Sequence, residues 1–339
     1  MEPTNDFSLG VDLAQESFVA SLCVGAGEPQ SWRAQPALAV ALPPDDPAGI
    51  EALLDWLATE QPGARCARVI VESTGQLSWR FARAVAGRGL PQVAIVNPCR
   101  TKAYRVSLGV RDKSDQVDAR LLALYAAAHR PKTPPPRSAV EERLREMSRL
   151  RERYVQDLDR WKNRQRETLD KESGREIAKT IRHLEKAIRN VERAQGNAVK
   201  EDAVLSRQVD ALTKIRGIKR VTAMTLTAEL GDLSHYGRSQ LSAAAGLFPK
   251  VFDSGKSVHR KPRLAKGGGG RLRRVLYMCA TSLFRSKGAL RAHIDRLQRR
   301  GMSDMTIEGA VMRKLLLIAR AVVRNGGIYD ETKISRQGV

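Results

Sequence analysis

Apolar residues in the first hundred positions come in short compact runs, whereas from about residue 140 onward they recur at helical spacing. Phe7-Ser-Leu-Gly-Val-Asp-Leu-Ala14 and Ser17-Phe-Val-Ala-Ser-Leu-Cys-Val24 predict two strands joined by a tight turn. Arg68-Val-Ile-Val-Glu72 and Gln92-Val-Ala-Ile-Val96 predict two more, with helical patterns over 48–60 and 77–87 between them. Strands alternating with helices imply a mixed or parallel sheet covered by helices, an α/β domain over residues 1–130.

Pro131-Lys-Thr-Pro-Pro-Pro136 then breaks the pattern, and Ser138-Ala-Val-Glu141 offers a capping box that opens a helix. Val140, Leu144, Met147, Tyr154, Leu158 and Trp161 keep the spacing of a coiled-coil seam, interrupted by Arg151. Ser173-Gly174 interrupts it again, and Ile177, Ile181, Leu184, Ile188 and Val191 restore it. Two long charged helices hinged near 171–174 are expected to form an antiparallel hairpin or a dimerisation arm, within a linker-and-arm segment over 131–204. A mostly helical third unit, 205–339, opens with Lys214-Ile-Arg-Gly-Ile-Lys-Arg-Val, which resembles a helix-hairpin-helix element. Lys219 stands where that pattern usually has a second glycine, so both a phosphate contact through Lys219 and Arg220 and plain helix packing are open.

Charge changes this picture most. The net charge is +22, yet residues 1–110 carry 9 Lys/Arg against 11 Asp/Glu. The basic excess therefore lies downstream, where its field attracts phosphate backbones. Aromatic residues make up only 5% of the chain, so backbone contacts are expected to outweigh base stacking. Cys23, Cys66, Cys99 and Cys279 are scattered with no metal-ligand spacing, and the five histidines show none either. They are expected to be reduced, mostly buried thiols. No stretch is apolar enough to span a bilayer and the start is acidic, so no membrane partner and a cytoplasmic location are expected.

Within the least basic third, Asp12 and Glu72 end apolar strands. Asp115 and Asp118 lie three apart in Lys113-Ser-Asp-Gln-Val-Asp-Ala119, on one face of a helix. Converged on one site, four carboxylates would be costly without cations, and hard Mg²⁺ suits an all-oxygen donor set. Each acid alone could equally be a turn residue, a cap or a solvated helix face.

Gly10-Val-Asp-Leu-Ala14, Val71-Glu-Ser-Thr-Gly75, Val96-Asn-Pro98 and Lys113-Ser-Asp-Gln-Val-Asp-Ala119 together resemble the signature blocks of the DEDD transposases of the insertion sequence 110 family. That group includes the Piv invertase and the bridge-RNA-guided recombinases. The resemblance implies an RNase H-like domain similar to RuvC, with Asp12, Glu72, Asp115 and Asp118 as both catalytic and metal-binding residues. Ala245-Gly-Leu-Phe-Pro249, Asp253-Ser-Gly-Lys256 and Leu264-Ala-Lys-Gly-Gly-Gly-Gly-Arg-Leu-Arg-Arg274 are similar to the family's C-terminal transposase domain, which makes Ser254 the nucleophile. Without the resemblance Ser254 is an ordinary turn serine, little different from Ser257.

Between Lys250 and Arg300 there are 15 Lys/Arg and 2 Asp/Glu. Lys256, Arg260, Lys261, Lys266, Arg271, Arg273 and Arg274 are the residues there expected to meet nucleic acid, and His259 is the one histidine placed to act as acid or base. The Gly267–Gly270 run fits either a close backbone approach to phosphate or a hinge. The expected protein is thus a DNA transposase or site-specific recombinase. It would cut and rejoin target and donor DNA through a phosphoserine, guided by a non-coding bridge RNA and acting as a homo-oligomer, a dimer or tetramer. The alternatives are a metal-dependent junction-resolving nuclease that uses water, and a non-catalytic RNA- or DNA-binding scaffold.

Overall fold

The computed structural model describes residues 6–25, 35–133, 137–254, 258–264, 269–286 and 288–332, with only the backbone described at 250–263. The chain is α/β followed by α, and its internal contacts divide it into two compact units, Met1–Pro136 and Arg137–Val339.

In the first unit, β1 (Phe7–Leu13), β2 (Phe18–Val24), β3 (Ala37–Val40), β4 (Cys66–Glu72) and β5 (Val93–Val96) form one sheet in the order β3-β2-β1-β4-β5. β2 is antiparallel to β1 and β3, while β1, β4 and β5 run parallel. The parallel strands are separated by α1 (Pro47–Glu60) and α2 (Gln76–Ala84), and α3 (Pro98–Ser107) and α4 (Asp115–His129) follow β5. Strand alternation sorts the side chains. Phe7, Leu9, Val11, Val69 and Val71 share a core with Ile50 and Leu53 of α1 and Phe81 of α2. On the other face Ile70 and Ala94 pack with Leu122 and Ala126 of α4. Gly10, Asp12 and Glu72 have that second parity and so stand on the side that α4 covers.

Helix α4 can lie this close because of Gly10. A Cβ there would come 2.1 Å from the Ala123 nitrogen and 2.5 Å from the Ala119 carbonyl oxygen, so no side chain fits. The glycine of the Gly10-Val-Asp motif is therefore a contact residue, and Ala119, Ala123 and Ala126 present the matching small faces of the helix.

In the second unit, α5 (Ala139–Glu167) opens on the expected capping box, Ser138 accepting from the Glu141 N–H at 3.1 Å and Glu141 from the Ser138 N–H at 2.8 Å. It packs against α6 (Lys171–Lys200) as an antiparallel hairpin, shown by Arg151 with Glu192 at 2.7 Å and Lys162 with Glu185 at 3.1 Å. The break falls at 168–170, slightly before the expected hinge. Asp170 caps α6 by accepting from the Ser173 N–H at 2.7 Å, which draws Ser173 and Gly174 into the first turn.

The hairpin's root joins a core that includes Leu144, Val199, Leu226, Leu276 and Leu315. That core also holds α7 (Ala203–Thr213), α8 (Arg220–Leu230), α10 (Gly270–Phe284), α11 (Arg291–Arg299) and α12 (Asp304–Arg324). Between α7 and α8 the turn has Gly217 at φ +91, where a Cβ would press on Leu283. After the short α9 (Arg238–Ala244), strands β6 (Pro249–Ser254) and β7 (Val258–Leu264) form an antiparallel hairpin. The four cysteines are free, Cys99 exposed and the others buried. Among the described residues no helix is long and apolar enough to cross a membrane.

Candidate catalytic and nucleic-acid sites

The register Val11↔Val71 sets Asp12 beside Glu72, each at the C-terminal end of neighbouring parallel strands. From the α4 side come Asp115 and Asp118, fixed by the Ser114 side chain, which accepts from the Val117 N–H at 3.3 Å and starts the helix. Acids in a first helical turn also meet the positive end of the helix dipole. Three of the four expected acids are electrostatic neighbours: burial, then the Asp115 carboxylate, then Glu72 push the Asp12 carboxyl up to about 6. The Leu13 N–H and Arg105 pull it back only in part. Residues more than 40 apart in sequence therefore share one negative field.

Two side chains that sequence reading did not single out complete the site. Asn97 accepts from the Cys99 N–H at 2.9 Å and Pro98 occupies the first turn, so the Val96-Asn-Pro98 block is the start signal of α3. One turn on, Thr101 donates to Glu72; one turn further, Arg105 pairs with Asp118. The signal was the four-residue spacing after that cap, which names a helix face but not the carboxylates it meets. A cavity of about 430 Å³ opens there, lined by Glu72, Thr101, Lys102, Arg105, Lys113 and Asp118 among others.

The donor set is all carboxylate oxygen, which fits a hard divalent ion. With Asp118 held by Arg105 and Glu72 by Thr101, no three Asp, Glu, His or Cys side chains among the described residues are grouped closely enough to hold one metal ion. What the structure shows is a crowded set of carboxylates with a guanidinium at its edge.

In the second unit, Ser254 ends β6 and its backbone pairs with Val258, the last pair of the hairpin before the residues that connect its two strands. Arg260 pairs with Phe252 and Lys261 continues β7. The side chains of Ser254, His259, Arg260 and Lys261 lie outside the described residues, as do Lys256 and Lys266 entirely. Within the Gly267–Gly270 run, Gly269 adopts φ +55, and a Cβ would come 2.6 Å from the Ala245 carbonyl. Glycine is needed there so that the start of α10 can lie against the end of α9, which ties the Ala245-Gly-Leu-Phe-Pro249 block to the glycine run.

Helix α10 then carries three of the expected basic residues. Arg271 pairs with Glu152 and, at 3.4 Å, with Glu229; Arg274 also pairs with Glu152. Arg273 is half-buried, Lys219 is exposed at the start of α8, and Arg220 pairs with Asp210 at 3.5 Å. Glu229 is 11% exposed and also receives Arg145 and Arg149, at 3.5 and 3.9 Å.

Family models for transposases match both parts of the chain, one named for the DEDD transposases of the IS110 group over residues 9–173 and one for the IS116/IS110/IS902 family over 209–295. The pilin gene-inverting protein of Moraxella bovis is 30% identical over 84% of this chain and 88% of its own length. That of Moraxella lacunata is 30% identical over 81% and 86%. An uncharacterised 43.6 kDa protein of insertion element IS110 from Streptomyces coelicolor is 29% identical over 40% of this chain and 33% of its own length. With both halves matched and a relative covered almost end to end, the chain belongs to the IS116/IS110/IS902 family of DEDD transposases.

Proposed function

We propose that this transposase cuts and rejoins DNA through Ser254, with Asp12, Glu72, Asp115 and Asp118 as its metal-dependent acidic site. The observation that carries the reading is the shared field of Asp12, Glu72 and Asp115, three acids brought from two strand ends and a helix start. The sheet order β3-β2-β1-β4-β5, with its antiparallel meander and two parallel additions, supports an RNase H-like first domain. Mg²⁺ bound there would polarise phosphate oxygens and stabilise charge on the attacking and leaving oxygens. Asp12 and Asp115 would supply oxygens to it, Thr101 would orient Glu72, and Arg105 would exchange its hold on Asp118 for the phosphate.

Ser254 attacks phosphorus, the bond from phosphorus to the leaving strand oxygen breaks, and that oxygen takes up a proton. The hydroxyl of the incoming strand then attacks the phosphoserine and returns the serine as leaving group. Bond count is conserved, so no outside energy source is required. The basic residues of 205–339, with the α7–α8 turn, would grip backbone while a bridge RNA selects target and donor DNA. A homo-oligomer would supply the two or more active centres that strand exchange needs. The proposed division is 1–130 for the acids, 131–204 for the arm and 205–339 for the serine.

The test incubates the full chain with element-end DNA, RNA transcribed from the element flank and Mg²⁺, followed by a denaturing gel. The expected result is a protein–DNA adduct and exchanged strands, both lost in Ser254→Ala and in EDTA. Cutting retained by Ser254→Ala would replace this reading with a nuclease that uses water. Binding without cutting in every metal and RNA condition would replace it with a scaffold.

A further inference from the structure

A second cavity, about 560 Å³, lies where the arm meets the helical core, between α5, α10 and Thr225 of α8. Its volume is in the range of ligand sites, about 300–1,000 Å³. Arg151 and Arg160 of α5 face Arg271 and Arg274 of α10 across it, with Glu152 and Asp159 as its acids. Arg271 and Arg274 converge on Glu152, and Arg271 continues to Glu229, where Arg145 and Arg149 also meet. Glu152 and Glu229 thus hold Arg271 and Arg274 in fixed directions with Arg145 and Arg149 behind them, while on the α5 side Arg151 pairs with Glu192 at 2.7 Å and Arg160 with Asp157 at 3.1 Å. One carboxylate cannot use the five N–H donors of each guanidinium, and the planar fork matches phosphate. The apolar part of the wall is Val155, Val275 and Met278, and Met278 is 65% exposed although it belongs to a core-packed helix.

We infer that this cavity is a binding site for the phosphodiester backbone of a single nucleic-acid strand, gripped by Arg151, Arg160, Arg271 and Arg274 with a sugar or base against Met278. A duplex is too wide to enter, whereas a nucleotide-sized section of one chain fits. The inference goes beyond the catalytic reading, because it gives the root of the arm a role in nucleic-acid recognition and not only in coiled-coil packing. It involves neither the acids nor Ser254.

Arg160 and Arg274 are 69% and 60% exposed, so their replacement by glutamine spares the core. Fluorescently labelled single-stranded DNA, single-stranded RNA and duplex DNA are titrated in EDTA, over a range of salt, with the full chain and with Arg160→Gln, Arg274→Gln and, as a charge-matched control further out on the arm, Lys179→Gln. Each arginine variant should bind a single strand about three- to tenfold more weakly, with the salt slope reduced by about 0.7 for each lost phosphate contact. The control should keep the wild-type slope. Whichever of DNA or RNA shows the loss is the source of the strand. A photo-crosslinking residue at Met278 should capture that strand, and one at Met302 should not. Equal losses in the arginine variants and in Lys179→Gln, a loss confined to duplex, or equal capture at 278 and 302 would overturn the inference. Because metal is excluded and Ser254 untouched, a failure here leaves the catalytic reading standing, and a failed adduct assay leaves this one standing.

Discussion

The acidic cluster of the first unit and the arginine cluster of the second are electrostatic mirror images. Asp12 is pushed up by burial and by Asp115 and Glu72, carboxylates that crowd it. Arg145 is pushed down by burial, then by Arg137 and Arg271, and Arg149 by burial, then by Arg145 and Arg271, guanidinium groups that crowd them. In each place the fold brings like charges together at a cost and sets groups of the opposite sign beside them: Arg105 beside the acids, Glu229 and Glu152 among the arginines. A chain of net charge +22 could have diluted both. Keeping both agrees with the proposals that the acidic site takes a metal ion and the arginine site takes phosphate.

The comparison depends first on Gly10, since the acids meet only if α4 lies on the sheet. Gly10→Ala puts a methyl group inside the backbone of α4, and about 4 kcal/mol or more of stability should be lost, visible as a lower denaturation midpoint. A midpoint within experimental error of wild type would mean that α4 is not packed as described. Next comes the pair of opposite signs. Glu229→Gln leaves buried guanidinium groups without their shared acid and should cost about 3 kcal/mol. Asp12→Asn removes one member of a crowded set and should leave the protein about 1 kcal/mol more stable at neutral pH, after allowance for solvent screening, while abolishing metal-dependent cutting. If both substitutions shift stability in the same direction, the mirror-image description is wrong.

Why one half of this comparison was legible in the sequence and the other was not follows from distance along the chain. Asp12 and Glu72 close apolar runs, and the alternation that marks a strand also tells which face each acid takes. Asp115 and Asp118 follow Ser114, a cap that fixes where the helix starts. Glu229 lies unremarked in a helix, with its partners roughly eighty residues upstream and forty downstream, and no periodicity links them. Arg105 and Thr101 were hidden for the same reason, although the Asn97-Pro98 cap that aims their helix was in view. The edge strand β3 is only four residues long, Ala37–Val40, too short for its alternation to stand out. The arm's hinge was misplaced by a few residues because Ser173-Gly174 reads as a break until Asp170 is seen to cap it.

The mildest contrast is in the response to acid. Asp12 is raised from 3.8 to about 6 on folding, so the folded protein holds more protons than the unfolded chain between those values, and this group's contribution to stability falls as pH rises through that window. His293 behaves oppositely. Partial burial, then Lys314 and Arg296, lower it from 6.5 to about 4, so the unfolded chain takes up the proton first and stability falls as pH drops from about 6.5 toward 4. His293→Gln should remove that loss, a gain below about 1 kcal/mol at pH 5 once screening is allowed for, with nothing gained at pH 8. Denaturant titrations of both proteins at pH 5 and pH 8 give the answer. An equal change at both values would show that His293 acts by packing, and the second unit's excess of positive charge would then have no part in its response to acid.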